Sequence, residues 1–271
     1  MRYRLTLREI IDAHPPAKRA EDRGEPMVYF IARPLSFPLG WLALRFGMHP
    51  NDVSVIALLA NLAGLGLMAS GNRTCMLAGV VTVFVALVFD CVDGTMARAT
   101  RQFTGTGAWI DALSAYLLYA GFHLAGGVGA WLALTRGAPV THWPQAAASG
   151  GVLVVAGAIA SAVMSFAVLA NGKLKALFPQ LDRYEVIDRT GRGFYGLAFT
   201  VARNLSFPSG LVIPITFVGI ALRRYDVVLI GYAALNVVMA AAVVLRAAAS
   251  GRRQQAAIAA QAALEGSTPT A

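Results

Sequence analysis

The chain has 271 residues, of which 57% are hydrophobic and only 14% are charged. Soluble domains carry about 25% charged residues, so this composition excludes an ordinary water-soluble protein and predicts an all-α integral membrane protein. The net charge of +9 fits basic loops beside a membrane, and no separate basic module that would bind nucleic acid is visible.

The N-terminal part of the chain is polar before it becomes apolar. Residues 1–27 are rich in charge, and Pro15 and Pro16 interrupt any helix there, so we predict a cytosolic N-terminal segment. Residues 28–47 are apolar but contain Arg33 and other interruptions, which suits a helix lying in the membrane interface better than a span.

Apolar runs of about 20 residues, the length that crosses a bilayer, predict about six transmembrane helices. Residues 28–250 would form one membrane domain, followed by a polar tail at 251–271 whose end is expected to be disordered. The predicted spans are about 53–70, 75–98, 106–134, 147–170, 207–222 and 226–248.

Three aspartates lie where the second span ends and the third begins. Asp90 and Asp93 are three residues apart and share one helix face, while Asp111 lies on the next helix in line with Gly107. An ionised side chain inside a bilayer costs several kcal/mol unless it is paired, hydrated or metal-bound. Side by side, the two helices would point three carboxylates at one spot, and such hard oxygen ligands suit Mg²⁺ or Mn²⁺.

Small and cationic residues surround these carboxylates. Gly94 and Gly107 allow a ligand or another backbone to approach closely. Arg98 provides a fixed, forked cation suited to a diphosphate, and Ala97 shares the face of Asp90. The histidines are not predicted as ligands: His14, His49 and His142 look like loop residues, and His123 lies too far along its helix from Asp111.

This spacing resembles the signature of the CDP-alcohol phosphotransferase family, D-x2-D-G-x2-A-R-x8-G-x3-D-x3-D. The last aspartate of that pattern is replaced here by Ala115. The residues that match it are Asp90, Asp93, Gly94, Ala97, Arg98, Gly107 and Asp111.

The resemblance implies transfer of a phosphoalcohol or phosphatidyl group from a CDP-alcohol or CDP-lipid to an acceptor hydroxyl, with release of CMP, in phospholipid synthesis. It implies a homodimer with one or two Mg²⁺ or Mn²⁺ ions held by Asp90, Asp93 and Asp111. It also implies that the CDP moiety contacts Asn51, Ser54, Gly94, Ala97, Arg98, Thr104 and Gly107.

Ordinary helix capping is an alternative role for some of these polar residues. Asn51 or Asp52 is suited to cap the first span, and Thr104 to cap the third.

Position 115 leaves the activity of this sequence open. In the family the missing aspartate serves as metal ligand and general base, and loss of a positioned base typically costs about 10²–10⁴-fold in rate. Three explanations are open. We favour the first, in which the sequence is an inactivated Asp-to-Ala variant. In the second another base replaces the aspartate, and in the third the protein binds CDP-lipids without turnover. The candidate bases are Tyr116, Glu185 and Asp188.

The donor and acceptor alcohols also stay open. A phosphorylated acceptor would need further cations, for which Lys173, Arg189, Arg192 and Arg203 are candidates. A small membrane transporter is the alternative outside this family, since intramembrane carboxylates also mark ion paths.

The basic residues predict the orientation. The N-terminal segment, the loop at 171–192 and Arg252 with Arg253 fall on one side of a six-span protein, and Arg73, Arg136, Arg223 and Arg224 on the other. Since cytoplasmic loops are enriched in Lys and Arg, we expect both termini and the aspartates on the cytoplasmic side of the inner (plasma) membrane.

Overall fold

The computed structural model of the chain describes residues 5–138, 140–142, 151–177, 201 and 204–265. All regular secondary structure in these ranges is helical, with a π-helical turn at Val28–Ala32. The helices are α1 (Leu7–Asp12), α2 (Pro16–Asp22), α3 (Arg33–Arg45), α4 (Pro50–Met68), α5 (Arg73–Thr100), α6 (Gly105–Thr135), α7 (Gly151–Leu177), α8 (Val212–Ala221) and α9 (Tyr225–Glu265).

Five helices in the described ranges are long and apolar enough to cross a membrane. They are α4, α5, α6, the stretch Gly151–Ala170 of α7 and the stretch Tyr225–Leu245 of α9. The prediction of an all-α membrane protein is therefore confirmed, and the predicted count of about six agrees roughly with five long helices and the shorter apolar α8.

Helix α8 begins later than the sequence predicted for the fifth span, 207–222. It has 10 residues, or about 15 Å, roughly half the thickness of a bilayer core. Before it, the Leu211 amide donates to the Asn204 carbonyl at 2.6 Å, which closes a tight turn. A Cβ at Gly210 would lie 2.1 Å from that carbonyl oxygen, so position 210 has no room for a side chain.

The long helices alternate in direction between two ends of the bundle. Helix α4 begins, α5 ends and α6 begins at what we call the motif end. At the opposite, distal end, Arg136 donates to the Ser70 carbonyl at 2.6 Å, Arg73 donates to the Ile220 carbonyl at 3.3 Å, and the Tyr225 amide donates to the carbonyl of Val140. Arg73 and Arg136 thus lie opposite the aspartates, as the distribution of basic residues predicted.

Close packing of α4 against α5 sets the position of the motif. A Cβ at Gly79 would lie 2.6 Å from the Gly64 carbonyl oxygen, so these glycines let the two backbones approach closely. Below the motif end, buried apolar side chains of α4, α5, α6, α7, α8 and α9 form the main core, with Met68, Met76 and Phe122 among its members. This core holds α5 and α6 in a fixed relation to α4.

The N-terminal helices cover the motif end. A second core, with Ile10, Leu44 and Met96 among its buried members, joins α1 and α3 to α5. Helix α3 exposes Leu35 and other apolar side chains on its outer face, as expected for a helix lying in the membrane interface.

Candidate functional site

The site is built from three helix ends. Helix α5 ends at Thr100, and Arg101 follows in the left-handed conformation with a φ of 55°, so the chain turns sharply. Thr104 then caps α6, its hydroxyl accepting a hydrogen bond from the Gly107 amide at 3.0 Å. This short turn places the end of α5 beside the beginning of α6, and α4 begins at the same level.

Asp90 and Asp111 face each other across α5 and α6. Their carboxyl groups lie within hydrogen-bonding reach of each other, and both Asp93 and Asp111 are close enough to Asp90 to act on it electrostatically. The structure therefore brings Asp90 and Asp111 together from two neighbouring helices, and Asp93 lies within electrostatic range of Asp90. An arrangement of this kind concentrates negative charge that a cation would neutralise.

Asp93 is held by a residue from α4. The Ser54 hydroxyl donates to the Asp93 carboxylate at 2.5 Å, and Ser54 is only 5% exposed. A donor fixed in this way orients the carboxylate, in the manner of the outer partners that surround metal ligands.

Asn51 and Thr104 join α4 to α6. The Thr104 hydroxyl donates to the Asn51 side-chain oxygen at 2.9 Å. A Cβ at Gly107 would lie 2.6 Å from that oxygen, which explains why glycine is needed here. Thr104 caps α6 as predicted, and its hydroxyl is also exposed at the motif end.

The predicted cap of α4 was assigned to the wrong residue. His49 caps this helix, and Asp52 completes a capping box by accepting from the His49 amide at 2.8 Å. The physical reason is that Pro50 occupies the first helical position, so the cap is His49, two residues before Asn51. Asn51 is thereby free of a capping role, and its side chain reaches Thr104 instead.

The Arg98 side chain folds back over Gly94. Its terminal nitrogens lie 3.1 and 3.3 Å from the place where a Gly94 Cβ would be. The Arg98 Nε is buried without a hydrogen-bond partner among the described residues. Ala97 is partly exposed on the same turn. A guanidinium with an N–H group that makes no hydrogen bond within the protein suits a phosphate ligand.

A cavity of about 360 Å³ opens beside Asp90 and Asp111. Ala115 lines it, so the position of the missing carboxylate faces the cavity that these two aspartates share. Its described polar and aromatic lining also includes residues that sequence reasoning did not assign to the site: Lys18, Glu25, Arg33, Asn61, Ser114, Tyr119, Phe207 and Ser209.

Arg33 links the N-terminal segment to the motif helix. Its guanidinium donates to the Asp22 carboxylate at 2.7 Å, to the Cys91 carbonyl at 3.0 Å and to the Thr95 hydroxyl at 3.1 Å. Both Arg33 and Asp22 are buried. Burial acts to raise the pKa of Asp22, but the hydrogen bond and charge of Arg33 outweigh it, so this pKa is lowered.

His14 belongs to the same network, which corrects its interpretation as a plain loop residue. It lies in a bend, but its ring is 4% exposed and its Nε2 is 2.9 Å from the Asp22 carboxylate. An arginine within an otherwise apolar segment was the one usable signal of this network in the sequence, and nothing there identified Asp22 as its partner.

A divalent cation requires several oxygen ligands that converge on it. Within the described ranges, no group of three or more His, Cys, Asp and Glu side chains is positioned to hold a metal as it stands. The chemistry of the cluster fits Mg²⁺ or Mn²⁺, because Asp90 and Asp111 carry hard carboxylate oxygens within hydrogen-bonding reach of each other and Asp93 lies nearby.

The candidate replacements for the missing carboxylate are not grouped at the site. Tyr116 is 45% exposed and does not line the cavity. Lys173, a candidate cation for an acceptor, is exposed on α7. The other candidates, Glu185, Asp188, Arg189, Arg192 and Arg203, lie outside the described residues.

Comparison with known proteins gives two findings. A family model described as CDP-alcohol phosphatidyltransferase matches residues 47–182, which include α4, α5 and α6. The chain is also 34% identical over 79 residues to proteins named phosphatidylinositol phosphate synthase in Mycobacterium bovis (strain BCG / Pasteur 1173P2) and in Mycobacterium tuberculosis (strains CDC 1551 and H37Rv). That match covers 29% of this chain and 35% of each relative, so it spans about a third of their length.

Proposed function

Because the chain belongs to the CDP-alcohol phosphatidyltransferase family, whose model spans half of its length, we propose that it transfers a phosphatidyl group from CDP-diacylglycerol to an acceptor hydroxyl and releases CMP. It is an enzyme of the CDP-alcohol phosphotransferase class with a role in phosphatidyl transfer, and it is built as a multi-pass membrane protein. What we propose in addition is which CDP-activated substrate donates the phosphatidyl group and which alcohol accepts it.

One observation carries the proposal: Asp90, Asp111 and position 115 border a single cavity at the motif end. The groups proposed to bind the CDP moiety do not line this cavity but lie at the same end of the bundle. The buried Arg98 Nε makes no hydrogen bond among the described residues, and Asn51 and Thr104 are joined there. A phosphatidyl donor must keep its acyl chains in the bilayer while its diphosphate is in water. A site at the ends of membrane helices satisfies both requirements.

We propose that Asp90, Asp93 and Asp111 hold Mg²⁺ or Mn²⁺, which when bound would offset the diphosphate charge and polarise the phosphorus under attack. Ser54 fixes the Asp93 carboxylate for this role. Arg98 binds the phosphate that leaves with CMP, beside the partly exposed Ala97. Gly94 leaves the space that the Arg98 guanidinium occupies and Gly107 the space that the Asn51 side chain occupies, so both glycines serve the CDP site through these side chains. Asn51 and Thr104 bind the polar edge of the CDP moiety.

The acceptor that we propose first is a phosphorylated inositol. The similar mycobacterial proteins are named phosphatidylinositol phosphate synthase, and their products would require this acceptor. Glycerol 3-phosphate and serine are the next acceptors to test, because the shared chemistry is attack by a hydroxyl on the same donor.

We further propose that the motif end faces the cytoplasm at the inner membrane, where CDP-activated substrates are available. A homodimer is proposed on family grounds. The division into residues 1–27, 28–250 and 251–271 is kept as a proposal for the domain organisation.

The test is CMP release by purified protein with CDP-diacylglycerol and myo-inositol 1-phosphate, in Mg²⁺ or Mn²⁺ and with EDTA as the control. The variant Ala115→Asp is assayed beside the native sequence. Metal-dependent release by the native sequence supports the proposal, whereas release by Ala115→Asp alone supports the family chemistry in a chain that does not itself turn over. If neither releases CMP with inositol phosphate, glycerol 3-phosphate or serine, phosphatidyl transfer from CDP-diacylglycerol is wrong for this chain.

Ala115 favours one second candidate, a protein that binds CDP-lipids without turnover. CMP release by the native sequence, measured beside thermal unfolding, separates the two candidates. A non-catalytic binder would be stabilised by CDP-diacylglycerol in a metal-dependent manner and yet release no CMP, even though Ala115→Asp restores turnover.

A further inference from the structure

The N-terminal segment brings a third carboxylate to the cavity, in addition to those of Asp90 and Asp111. Glu25 lies between α2 and the π-helical turn, far from the motif in sequence, and it lines the same cavity as Asp90, Asp111 and Ala115. No spacing rule connects Glu25 with the motif, so only the folded chain shows that it belongs to this wall.

The backbone around Glu25 is held on both sides. Its amide donates to the Asp22 carbonyl at 2.9 Å, and its carbonyl accepts from the Tyr29 amide at 2.8 Å. The Met27 amide donates to the Ser209 carbonyl at 3.2 Å, which ties this segment to the other wall of the cavity. Asp22 is itself anchored through Arg33 to α5. The position of Glu25 relative to the aspartates is therefore determined by the fold.

The surroundings of Glu25 include the residue one turn beyond position 115. Tyr119 follows Ala115 by four residues, on the same face of α6, and it also lines the cavity. Glu25, Asp90 and Asp111 all lie close enough to Tyr119 to act on it electrostatically. Glu25 thus belongs to the acidic side of the cavity that position 115 borders.

A carboxylate distinct from the metal ligands is needed at this place. Carboxylates that hold a divalent cation lose most of their capacity to accept a proton, because the cation stabilises the charged form. Asp90 and Asp111 are the proposed ligands, and the methyl group of Ala115 accepts no proton. Among the carboxylates that line the cavity in the described ranges, Glu25 is the remaining one.

We propose that Glu25 is the proton-accepting carboxylate of this enzyme, in place of the aspartate that position 115 lacks. The inference rests on the proposed function. The acceptor hydroxyl loses its proton to the Glu25 carboxylate while its oxygen bonds to the phosphorus that carries diacylglycerol. The bond from that phosphorus to the bridging oxygen breaks, and the electron pair leaves with CMP. Glu25 then returns the proton to water.

The test is a comparison of Glu25→Gln in two backgrounds, the native Ala115 and the variant Ala115→Asp. Removing a positioned base typically costs about 10²–10⁴-fold, so Glu25→Gln should lower kcat for CMP release by at least ~100-fold in the native background. In the Ala115→Asp background the restored aspartate accepts the proton. In that background, Glu25→Gln should lower kcat by less than ~3-fold. The two substitutions would then be non-additive, whereas substitutions at independent sites are additive.

A matched control and a binding measurement separate this role from a structural one. Glu21→Gln, an exposed change in the same segment that removes only a pairing with Lys18, should leave kcat within ~2-fold, as is usual for surface pairs. CDP-diacylglycerol with Mg²⁺ should stabilise Glu25→Gln against heat as much as it stabilises the native protein. Loss of that stabilisation would show a ligand or structural role and overturn the inference.

The remaining outcomes distinguish this inference from the proposed function. Unchanged turnover in Glu25→Gln, or an equal loss in both backgrounds, overturns the role of Glu25 and leaves phosphatidyl transfer intact. If the native protein is inactive and Ala115→Asp is active, Glu25 does not replace the aspartate, although the family chemistry holds. If both are inactive with every acceptor, both proposals are wrong.

Discussion

The Arg33 guanidinium donates a 3.0 Å hydrogen bond to the backbone carbonyl of Cys91, the residue that follows Asp90. The same guanidinium binds the Asp22 carboxylate at 2.7 Å. One buried side chain thus joins the segment that carries Glu25 to the helix that carries the aspartates. Damage to this junction should affect both the stability of the protein and the geometry of the cavity.

The first prediction concerns this junction. Arg33→Met leaves the Asp22 carboxylate buried without its main partner, and breaking a buried ion pair in this way typically costs about 3–5 kcal/mol. We expect a clear fall in the thermal unfolding midpoint in detergent. Arg8→Met is the control, because Arg8 is 92% exposed and lies 3.9 Å from Asp12, so its loss should cost less than ~1 kcal/mol. Equal shifts in the two variants would contradict the prediction.

The second prediction concerns pH. Burial lowers the pKa of His14 below its ordinary 6.5, and the charge of Arg33 lowers it further, against the opposing hydrogen bond from Asp22. The unfolded chain therefore binds a proton near pH 6.5 that the folded protein does not bind, and acidification below this pH removes stability. The pKa of Asp22 is also lowered, but its contribution is lost only below about pH 3.8.

We therefore expect the unfolding midpoint to fall between pH 7 and pH 5, with a smaller slope in His14→Gln. Glutamine retains a hydrogen bond to Asp22 but does not titrate. The matched control is His142→Gln, an exposed histidine outside this network, which should keep the native slope. A His14→Gln curve parallel to the native one would exclude this origin of the pH dependence.

The third prediction concerns Ser54, which donates to Asp93 at 2.5 Å. Loss of an outer partner of a metal ligand typically costs about 10–100-fold in metal affinity or activity. Ser54→Ala should accordingly raise the Mg²⁺ concentration needed for half-maximal CMP release by about that factor. Thr82→Ala removes a hydroxyl that bonds only to the Ala78 carbonyl of its own helix, and it should leave the metal requirement unchanged. The same metal requirement in all three proteins would argue against an orienting role.

The fourth prediction uses two glycines at the beginning of α6. Gly107→Ala places a methyl group 2.6 Å from the Asn51 oxygen, so it should separate Asn51 from Thr104 and raise the KM for the CDP donor. Gly105→Ala has no atom within 4 Å of the new Cβ and serves as the control. Alanine is the better helix former by roughly 0.5–1 kcal/mol, so the control should unfold slightly later with an unchanged KM. Equal KM values for the two variants would show that the contact is not used.

Sequence reasoning found the helices and the aspartates because both depend on local spacing. Asp90 and Asp93 share a face through helical periodicity alone, and the long apolar runs identify spans without reference to partners. The beginning of α8 was missed because the turn closed by Asn204 and Leu211 depends on contacts that no periodicity records.

The residues that line the cavity could not be predicted from the sequence for a related reason. Arg33 and Cys91 are 58 positions apart, and Glu25 comes from a segment that looked merely hydrophilic. Burial of Asp22 with His14 also depends on tertiary packing, because an exposed helix with the same charged residues would have the same local sequence pattern. Long-range pairing of this kind leaves no periodic signal in the chain.

Helix α9 has 41 residues and therefore extends for about 61 Å, twice the thickness of a bilayer core. Its first residue, Tyr225, is tied to the distal end, so the helix rises toward the motif end and its last turns must leave the lipid there. The residues beyond Leu245 form a helical extension of about 30 Å on the side of the membrane where the motif end lies. A fluorophore attached near Glu265 would consequently report from the aqueous compartment into which CMP departs.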